Sequence, residues 1–423
     1  MQLLAYKRTG LKQEYCLFYK ICKEKESNMK IFAGMNGFEE FCDFIEMNEE
    51  EKNIRREKLI ESNMPFQINE YYAELIRDLE GKDRVQVLNI VLPPLAEKKF
   101  VGRFDPYGNK KYRKEDKIYL QHKYKQTLLV HINNVCFTRC QFCYKVNEVN
   151  NDECFFYRQI VDDAVEYIHN HPEVNNILLT GGDPMILPSE ALVYILGKFS
   201  DIPQIRGIRV ATKTVSFNPE RFLDDEILNI FSECNEKNKH ISVIAQISHP
   251  AEFTETMVEA VAKIQMTGAS VRSQPVLARG INDDVNTLTR LFQKAYDNKI
   301  VPYYLVHFMP VCGVEQYAIP LDEGYKIFSK LSAELSGLEK KSVFIAAHDF
   351  GKLEICGFYP SVDQPDEILL RWHQIVNEKY LPKKFVETVS IEPLQILKFK
   401  FRKGELYNLD DVFEYNNIPT EEE

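Results

Sequence analysis

From Leu128 onward the chain alternates short apolar runs with amphipathic segments, and this alternation constrains the fold more than any other feature. The runs predict strands over 128–133, 175–180, 206–212, 241–247, 270–277 and 301–308, with a further strand over 342–347. Helical segments separate them. Ser189 can cap Glu190–Phe199, and Thr254 can cap a helix that stops at Gly268. Leu288, Leu291, Phe292, Ala295 and Tyr296 fall on one helical face, and a last helix is expected near Asp322–Leu335, stopping before Gly337. About six β–α units in series imply a parallel sheet with right-handed crossovers. They are too few for a closed eight-stranded barrel. The expectation is therefore an α/β fold whose core, residues 119–356, is a partial TIM-like (β/α)6 barrel. Barrels of this kind carry their chemistry at the C-terminal ends of the strands.

The flanks read differently. Residues 1–118 look like a separate, mostly helical N-terminal region. Phe41–Arg56 reads as helix, and Phe66–Ile76 has helical spacing with Asn69 as a candidate N-cap. Leu92-Pro-Pro-Leu95 interrupts regular structure, and Phe104–Lys117 reads as an exposed loop. Residues 357–423, with Trp372 and the acidic Glu421–Glu423, form a C-terminal extension of unassigned role. The net charge of −10 over 423 residues argues against nonspecific attraction to nucleic acid or to an anionic membrane. No apolar run approaches a membrane span, and the N-terminus lacks the apolar core of a signal peptide. The ten cysteines lack the density of a disulfide scaffold, which points to a reducing, cytoplasmic setting.

Three of those cysteines stand together. Cys136-Phe-Thr-Arg-Cys140-Gln-Phe-Cys143 follows directly on the first core strand, Leu128–Ile132. Iron–sulfur cubanes usually take four thiolates, so three would leave one iron open to another ligand. Zinc is the alternative; it would need a fourth ligand, and His131 on the preceding strand is available by count. Downstream, Gly181-Gly182-Asp183-Pro184 follows a strand, and its glycines let backbone approach a neighbour closely.

The CxxxCxxC spacing with Gly181-Gly182-Asp183-Pro184 resembles the radical S-adenosylmethionine (radical SAM) superfamily. Further segments narrow the resemblance to the lysine 2,3-aminomutase family: Ile68–Ile76, His122-Lys-Tyr124, Ser248-His-Pro250, Gln274–Asn282 and Val301–Leu305. The resemblance runs in order over residues 66–355 and implies a barrel of the radical SAM type. It also implies a 4Fe-4S cluster on Cys136, Cys140 and Cys143, with S-adenosylmethionine beside Gly181, Gly182, Asp183, Gln274 and His249. An isomerase acting on a small amino acid or amine is implied, together with a flavodoxin- or ferredoxin-type electron donor and a homo-oligomer. No membrane or nucleic-acid partner is expected.

Family members also use pyridoxal 5′-phosphate (PLP), joined as an aldimine to a lysine near the barrel's end. Here the matching residue is Lys352 in Asp349-Phe-Gly351-Lys352, and only Gly351 remains of the family's glycine run. Where the family has arginines for the phosphate, this chain has Lys123-Tyr124-Lys125-Gln126, and Tyr144-Lys145 replace basic residues after the third cysteine. PLP use is therefore open, with a solvated surface lysine as the alternative for Lys352. Met309–Cys312 and Ile345–Ala347 stand where the family places two aspartates for lysine's distal amine. An ammonium group in a closed site needs carboxylate partners, so the substrate is expected not to be lysine. A PLP-independent radical SAM enzyme (epimerase, dehydratase, or natural-product or peptide modification) is the second reading. A non-catalytic cluster- or zinc-binding scaffold is the third.

Overall fold

The computed structural model describes residues 29–62, 64–95, 97, 102–148, 156–360, 365–376 and 396–418. Cys16, Cys22, Cys154, the N-terminal residues read for a signal peptide and the tail Glu421–Glu423 lie outside the described residues. The seven cysteines among the described residues are all free thiols.

In chain order the strands are β1 (Ile31–Ala33), β2 (Gln67–Asn69), β3 (Leu120–Tyr124), β4 (Thr127–Asn133), β5 (Asn176–Gly181), β6 (Gly207–Thr212) and β7 (His240–Ala245). They continue as β8 (Ser270–Ser273), β9 (Val276–Leu277), β10 (Val301–Pro302), β11 (Tyr304–His307), β12 (Val343–His348), β13 (Gly351–Tyr359), β14 (Asp366–Ile375) and β15 (Ile396–Phe401). β4 to β8 and then β10 lie side by side, all parallel, with β3 antiparallel on the outer edge of β4. β9, β11 and β12 continue the parallel order. β8 and β9 are one predicted strand broken at Gln274-Pro275, where proline offers no N–H to a ladder, and β10 and β11 are another broken at Tyr303. Tyr303 N–H still bonds the Ser273 carbonyl at 3.0 Å and Val306 N–H the Pro275 carbonyl at 2.9 Å, so the ladder carries across both breaks.

Alternation along each strand decides what faces where. Leu128, Val130 and Ile132, Ile177 and Leu179, Ile208 and Val210, and Ile241 and Val243 bury into one core with the crossover helices. Each such aliphatic side chain contributes about 1.5–3 kcal/mol on burial. The helices obey the local signals in most places. Thr254 accepts from Met257 N–H at the start of Glu255–Met266, and that helix ends against Gly268 at φ +82°. Ser189 is not a cap: its helix starts at Ser189 behind Pro188, and its hydroxyl bonds Asp224. The cap of Val285–Asp297 is Asp284.

The C-terminal residues extend the same sheet. β13, β14 and β15 run antiparallel from β12, and Phe399, Phe401, Leu409, Val412 and Phe413 join the main core. The boundary read at 356/357 falls inside β13. The N-terminal region differs from its reading in two ways. Phe41–Arg56 is split between helices Gly34–Phe44 and Glu49–Glu61, and the core of the region is shared. Phe38, Phe41, Phe66 and Tyr72 pack in one cluster with Phe142 and Val146 of the cysteine loop and with Phe217, Phe308 and Tyr317.

Asn69 ties these parts together. Its side-chain oxygen caps the helix Glu70–Asp78 through Tyr72 N–H and accepts from the Thr138 hydroxyl at 2.9 Å. Its amide donates to the Phe217 carbonyl at 2.6 Å. Replacing this buried side chain strands several partners at once. Asn69→Ala is expected to lower stability by about 2–3 kcal/mol, read as a shift in the urea midpoint at unchanged slope. A midpoint within error of the parent protein would contradict the role.

Candidate functional site

The cysteine loop is clamped from two sides. On the N-terminal side, Gln67 donates from its side-chain amide to the Cys136 carbonyl at 2.6 Å, and its main-chain carbonyl accepts from Arg139 N–H at 2.8 Å. Gln141 N–H reaches the Ile90 carbonyl at 2.8 Å. On the sheet side, Gly182 N–H bonds the Asn133 carbonyl at 2.8 Å and Asp183 N–H bonds the Val135 carbonyl at 2.7 Å. A Cβ at Gly181 would lie 2.0 Å from Asn133 O, and one at Gly182 would lie 2.0 Å from Val135 O. Gly181 also sits at φ +139°, so glycine is required here by both contact and conformation.

Between the clamps Cys136, Cys140 and Cys143 line one cavity of about 340 Å³, within the range of small-ligand sites. Its walls include Gly181, Gly182, Asp183 and Gln274, and on the sheet Leu178, Ala211 and Ile244. Burial pushes the Cys136 thiol up to about 12 and raises those of Cys140 and Cys143, so a metal must displace protons from them. No group of three or more His, Cys, Asp or Glu side chains among the described residues gathers tightly enough for a single metal ion. His131 lines the cavity without completing such a set. A cubane makes a different demand, with each thiolate on its own iron.

Asp183 works inward. Its carboxylate accepts from the Thr212 hydroxyl, Lys213 N–H, Thr214 N–H and Met185 N–H at 2.7–3.0 Å, while burial raises its pKa. Beneath it Lys213 Nζ meets Glu252 at 2.6 Å in a fully buried pair that also receives the Tyr72 hydroxyl at 2.9 Å. Lys145 donates to the Gly181 carbonyl from beside the third cysteine. Three polar side chains on the cavity lack partners: His131 Nε2 and Gln246 Nε2 are buried and unbonded, and the Gln274 side chain forms no hydrogen bond among the described residues. Unpaired buried donors of this kind mark a place where a polar ligand would satisfy them.

Two expected site residues lie elsewhere. His249 is fully buried, and both ring nitrogens are engaged, Nδ1 accepting from Ala251 N–H and Nε2 meeting Gln86 Oε1 at 3.1 Å. It caps the turn Pro250–Glu252 instead of lining the cavity, because the Ser248-His249-Pro250 segment dives under the N-terminal helices. Lys352 also stands off the cavity. It is half-buried, with Nζ 3.2 Å from Gln374 Oε1 and over the Tyr124 and Tyr304 rings at 5.1 and 5.3 Å. Burial, then Arg209, brings its pKa down to about 8, so it is not a solvated surface lysine. The segment Phe104–Lys117, read as exposed, in fact supplies part of the wall. Tyr107 packs on Tyr144 at 4.9 Å, Tyr112 is buried, and Arg113 holds Glu148 at 2.7 Å. At the two positions lacking aspartates, Met309 and Val311 are buried in apolar surroundings, and Ile345 packs with Tyr304 and Val306.

Comparison with known proteins settles the family. The chain is 35% identical over 333 residues to a protein of Aquifex aeolicus named "Putative L-lysine 2,3-aminomutase", covering 78% of this chain and 86% of that one. It belongs to the lysine 2,3-aminomutase family of radical SAM proteins. Other members are more distant: a glutamate 2,3-aminomutase of Clostridioides difficile (24% identity, 82% of this chain and 86% of the relative) and an L-lysine 2,3-aminomutase of Clostridium subterminale (27%, 60% of each). No family model matches the chain. Streptococcus suis SuiB overlaps 53% of this chain and 50% of its own at 13% identity and TM-score 0.40, too partial a likeness to build on. Membership supports an α/β radical SAM fold and an enzyme of aminomutase type.

The site fits the family's cluster and S-adenosylmethionine in its donor set: three thiols on one cavity beside unpaired polar side chains. For PLP the fit is of another kind. Lys123 is not available for a phosphate, because its Nζ donates to the Tyr107 and His348 carbonyls at 2.7 and 2.8 Å, and Lys125 is exposed. The Lys352 amine, by contrast, lies over two tyrosine rings with its pKa lowered by burial, then by Arg209, whose Nε is buried without a partner. Gly182→Ala should force the cysteine loop off its sheet-side clamp. In the metal-free protein, Cys136, Cys140 and Cys143 are expected to alkylate with iodoacetamide several-fold faster than in the parent. Unchanged rates by peptide mapping would show that the clamp does not hold the loop.

Proposed function

We propose that this chain is a radical SAM enzyme acting on an amino acid or amine other than lysine, in an aminomutase-like isomerisation. The observation that carries the reading is the cavity shared by the three cysteines and the Gly181-Gly182-Asp183 segment, which bonds the Asn133 and Val135 carbonyls just ahead of Cys136. Cys136, Cys140 and Cys143 would hold the 4Fe-4S cluster, and Gly181, Gly182, Asp183 and Gln274 would line the S-adenosylmethionine site. A cluster held there by Cys136, Cys140 and Cys143 would supply the reducing electron, and S-adenosylmethionine the hydrogen-abstracting fragment, for chemistry on the substrate. The chain's own contribution is placement. The clamped loop fixes the thiols, Gln246 and Gln274 offer free amides to the ligand, and the apolar floor of Leu178, Ala211 and Ile244 excludes water from a reactive radical.

The sheet from β4 to β12 is read as the partial (β/α)6 barrel of this class. A flavodoxin- or ferredoxin-type donor, a cytoplasmic location and a homo-oligomer belong to the same reading. That Met309–Cys312 and Ile345–Ala347 carry no carboxylate of their own supports a substrate without a distal ammonium group. Lys352 is the lysine that would carry PLP. A second reading, without PLP, draws support from Lys123, which is committed to two backbone carbonyls.

Anaerobically reconstituted and dithionite-reduced protein is expected to convert S-adenosylmethionine to 5′-deoxyadenosine, and Cys140→Ala to abolish that conversion. Parent protein that holds iron yet forms no 5′-deoxyadenosine would overturn the reading. Borohydride treatment with PLP separates the two versions. A phosphopyridoxyl group on Lys352 supports the aminomutase, whereas no label in protein that still cleaves S-adenosylmethionine supports the PLP-independent enzyme.

A further inference from the structure

Two neighbouring strands of the cavity floor carry polar groups that nothing in the chain answers. Leu129, His131 and Asn133 alternate on β4 and line the cavity, as Leu178 and Thr180 do on β5. His131 pairs in register with Thr180, so the two side chains stand beside each other on the cavity face, their strands about 4.8 Å apart. The floor around them is aliphatic, formed by Leu129, Leu178, Ala211 and Ile244.

Both polar groups lack partners. His131 is 7% exposed, its Nε2 is buried and unbonded, and neither ring nitrogen forms a hydrogen bond among the described residues. The Thr180 hydroxyl forms none either. A buried imidazole with no partner is destabilising where leucine would not be, and His131 belongs to no metal-ion set among the described residues. Burial, then Lys145 and Arg113, hold its pKa well below the ordinary histidine value, so the ring is neutral. A neutral ring presents one donor and one acceptor, and the threonine hydroxyl can act as either.

The charges on this wall select what can lie against the pair. Lys145 and Arg113, the cations that act on His131, turn away an ammonium group. A carboxylate would meet Glu148 on the same cavity wall, and Glu148 already occupies Arg113 through both its oxygens at 2.7 and 2.8 Å. A charge brought in without a free counter-charge is unfavourable. An uncharged group that both donates and accepts meets neither objection.

We propose that His131 and Thr180 form a side-chain recognition subsite on the cavity floor that reads an uncharged hydroxyl or carboxamide of the substrate. The inference deepens the proposed function, on which it rests for an amino acid entering this cavity, and narrows the substrate class to amino acids with a neutral hydrogen-bonding side chain.

Equilibrium dialysis of radiolabelled amino acids tests it. The full-length protein is reconstituted with its cluster and kept unreduced, with S-adenosylmethionine and PLP present. The probes are two near-isosteric pairs, threonine with valine and asparagine with leucine, and aspartate as the charged control. The parent protein is expected to bind the polar member of one pair about tenfold more tightly than its apolar counterpart, and more tightly than aspartate. A preference in the first pair assigns a hydroxyl, and one in the second a carboxamide. His131→Leu and Thr180→Val are each expected to shrink that preference to about twofold or less, and His131→Gln, which keeps a donor and an acceptor, to retain part of it. Equal affinities within both pairs in the parent, tightest binding of aspartate, or no binding of either polar member overturns the proposal, whatever the variants' folding. So does a preference that survives in both His131→Leu and Thr180→Val. The ratios are measured without reduction and do not depend on S-adenosylmethionine cleavage. A parent protein that forms 5′-deoxyadenosine yet binds both pairs equally would leave the proposed function standing and remove this subsite.

Discussion

The hydrogen bonds that pin the cysteine loop govern the rest of the site. A loop carrying three thiols close together turns sharply and leaves its carbonyls without helix or strand partners. Here those carbonyls find partners from opposite sides, Cys136 with Gln67 and Asn133 and Val135 with the N–H groups of Gly182 and Asp183. The glycine pair is what lets two backbones pass within bonding distance. Each clamp is thus a contact between distant parts of the chain, and the cavity exists only when both form.

The same economy extends below the loop. The carboxylate of Asp183 gathers the start of the Thr214–Phe217 turn, and the Lys213–Glu252 pair ties β6 to the segment after β7. Tyr72 joins that pair from the N-terminal helix, and Asn69 joins the helix to the cysteine loop. A buried ion pair of this kind is weak as a source of stability but expensive to break from one side, so it fixes geometry. The N-terminal region is therefore part of the cavity wall, and its apolar cluster reaches Phe142 between the second and third cysteines.

Much of this was legible in the amino-acid order. Strand positions followed from apolar runs, the Asn69 cap from its place before a helical pattern, and the cysteine spacing from three residues alone. What escaped was set by partners far away in sequence. Phe104–Lys117 looks solvated because its charges and tyrosines find Glu148, Asp163, Asp349 and Tyr144 only in the folded chain. His249 reads as a cofactor-site residue because its partners, the Ala251 N–H and the Gln86 side-chain oxygen, are invisible in the motif. Arg209 sits inside an apolar strand and carries no motif; only strand register shows which face it occupies. The breaks at Gln274-Pro275 and Tyr303 likewise depend on neighbouring strands.

The central claim is that three clamped thiols leave one iron of a cubane open to S-adenosylmethionine. Mössbauer spectroscopy of protein reconstituted with 57Fe tests it most directly, before and after S-adenosylmethionine is added. The account predicts a 4Fe-4S spectrum in which one iron site changes its parameters on addition while the other three do not. A spectrum unaltered by S-adenosylmethionine, or a protein that takes up zinc in place of a cubane, would contradict it.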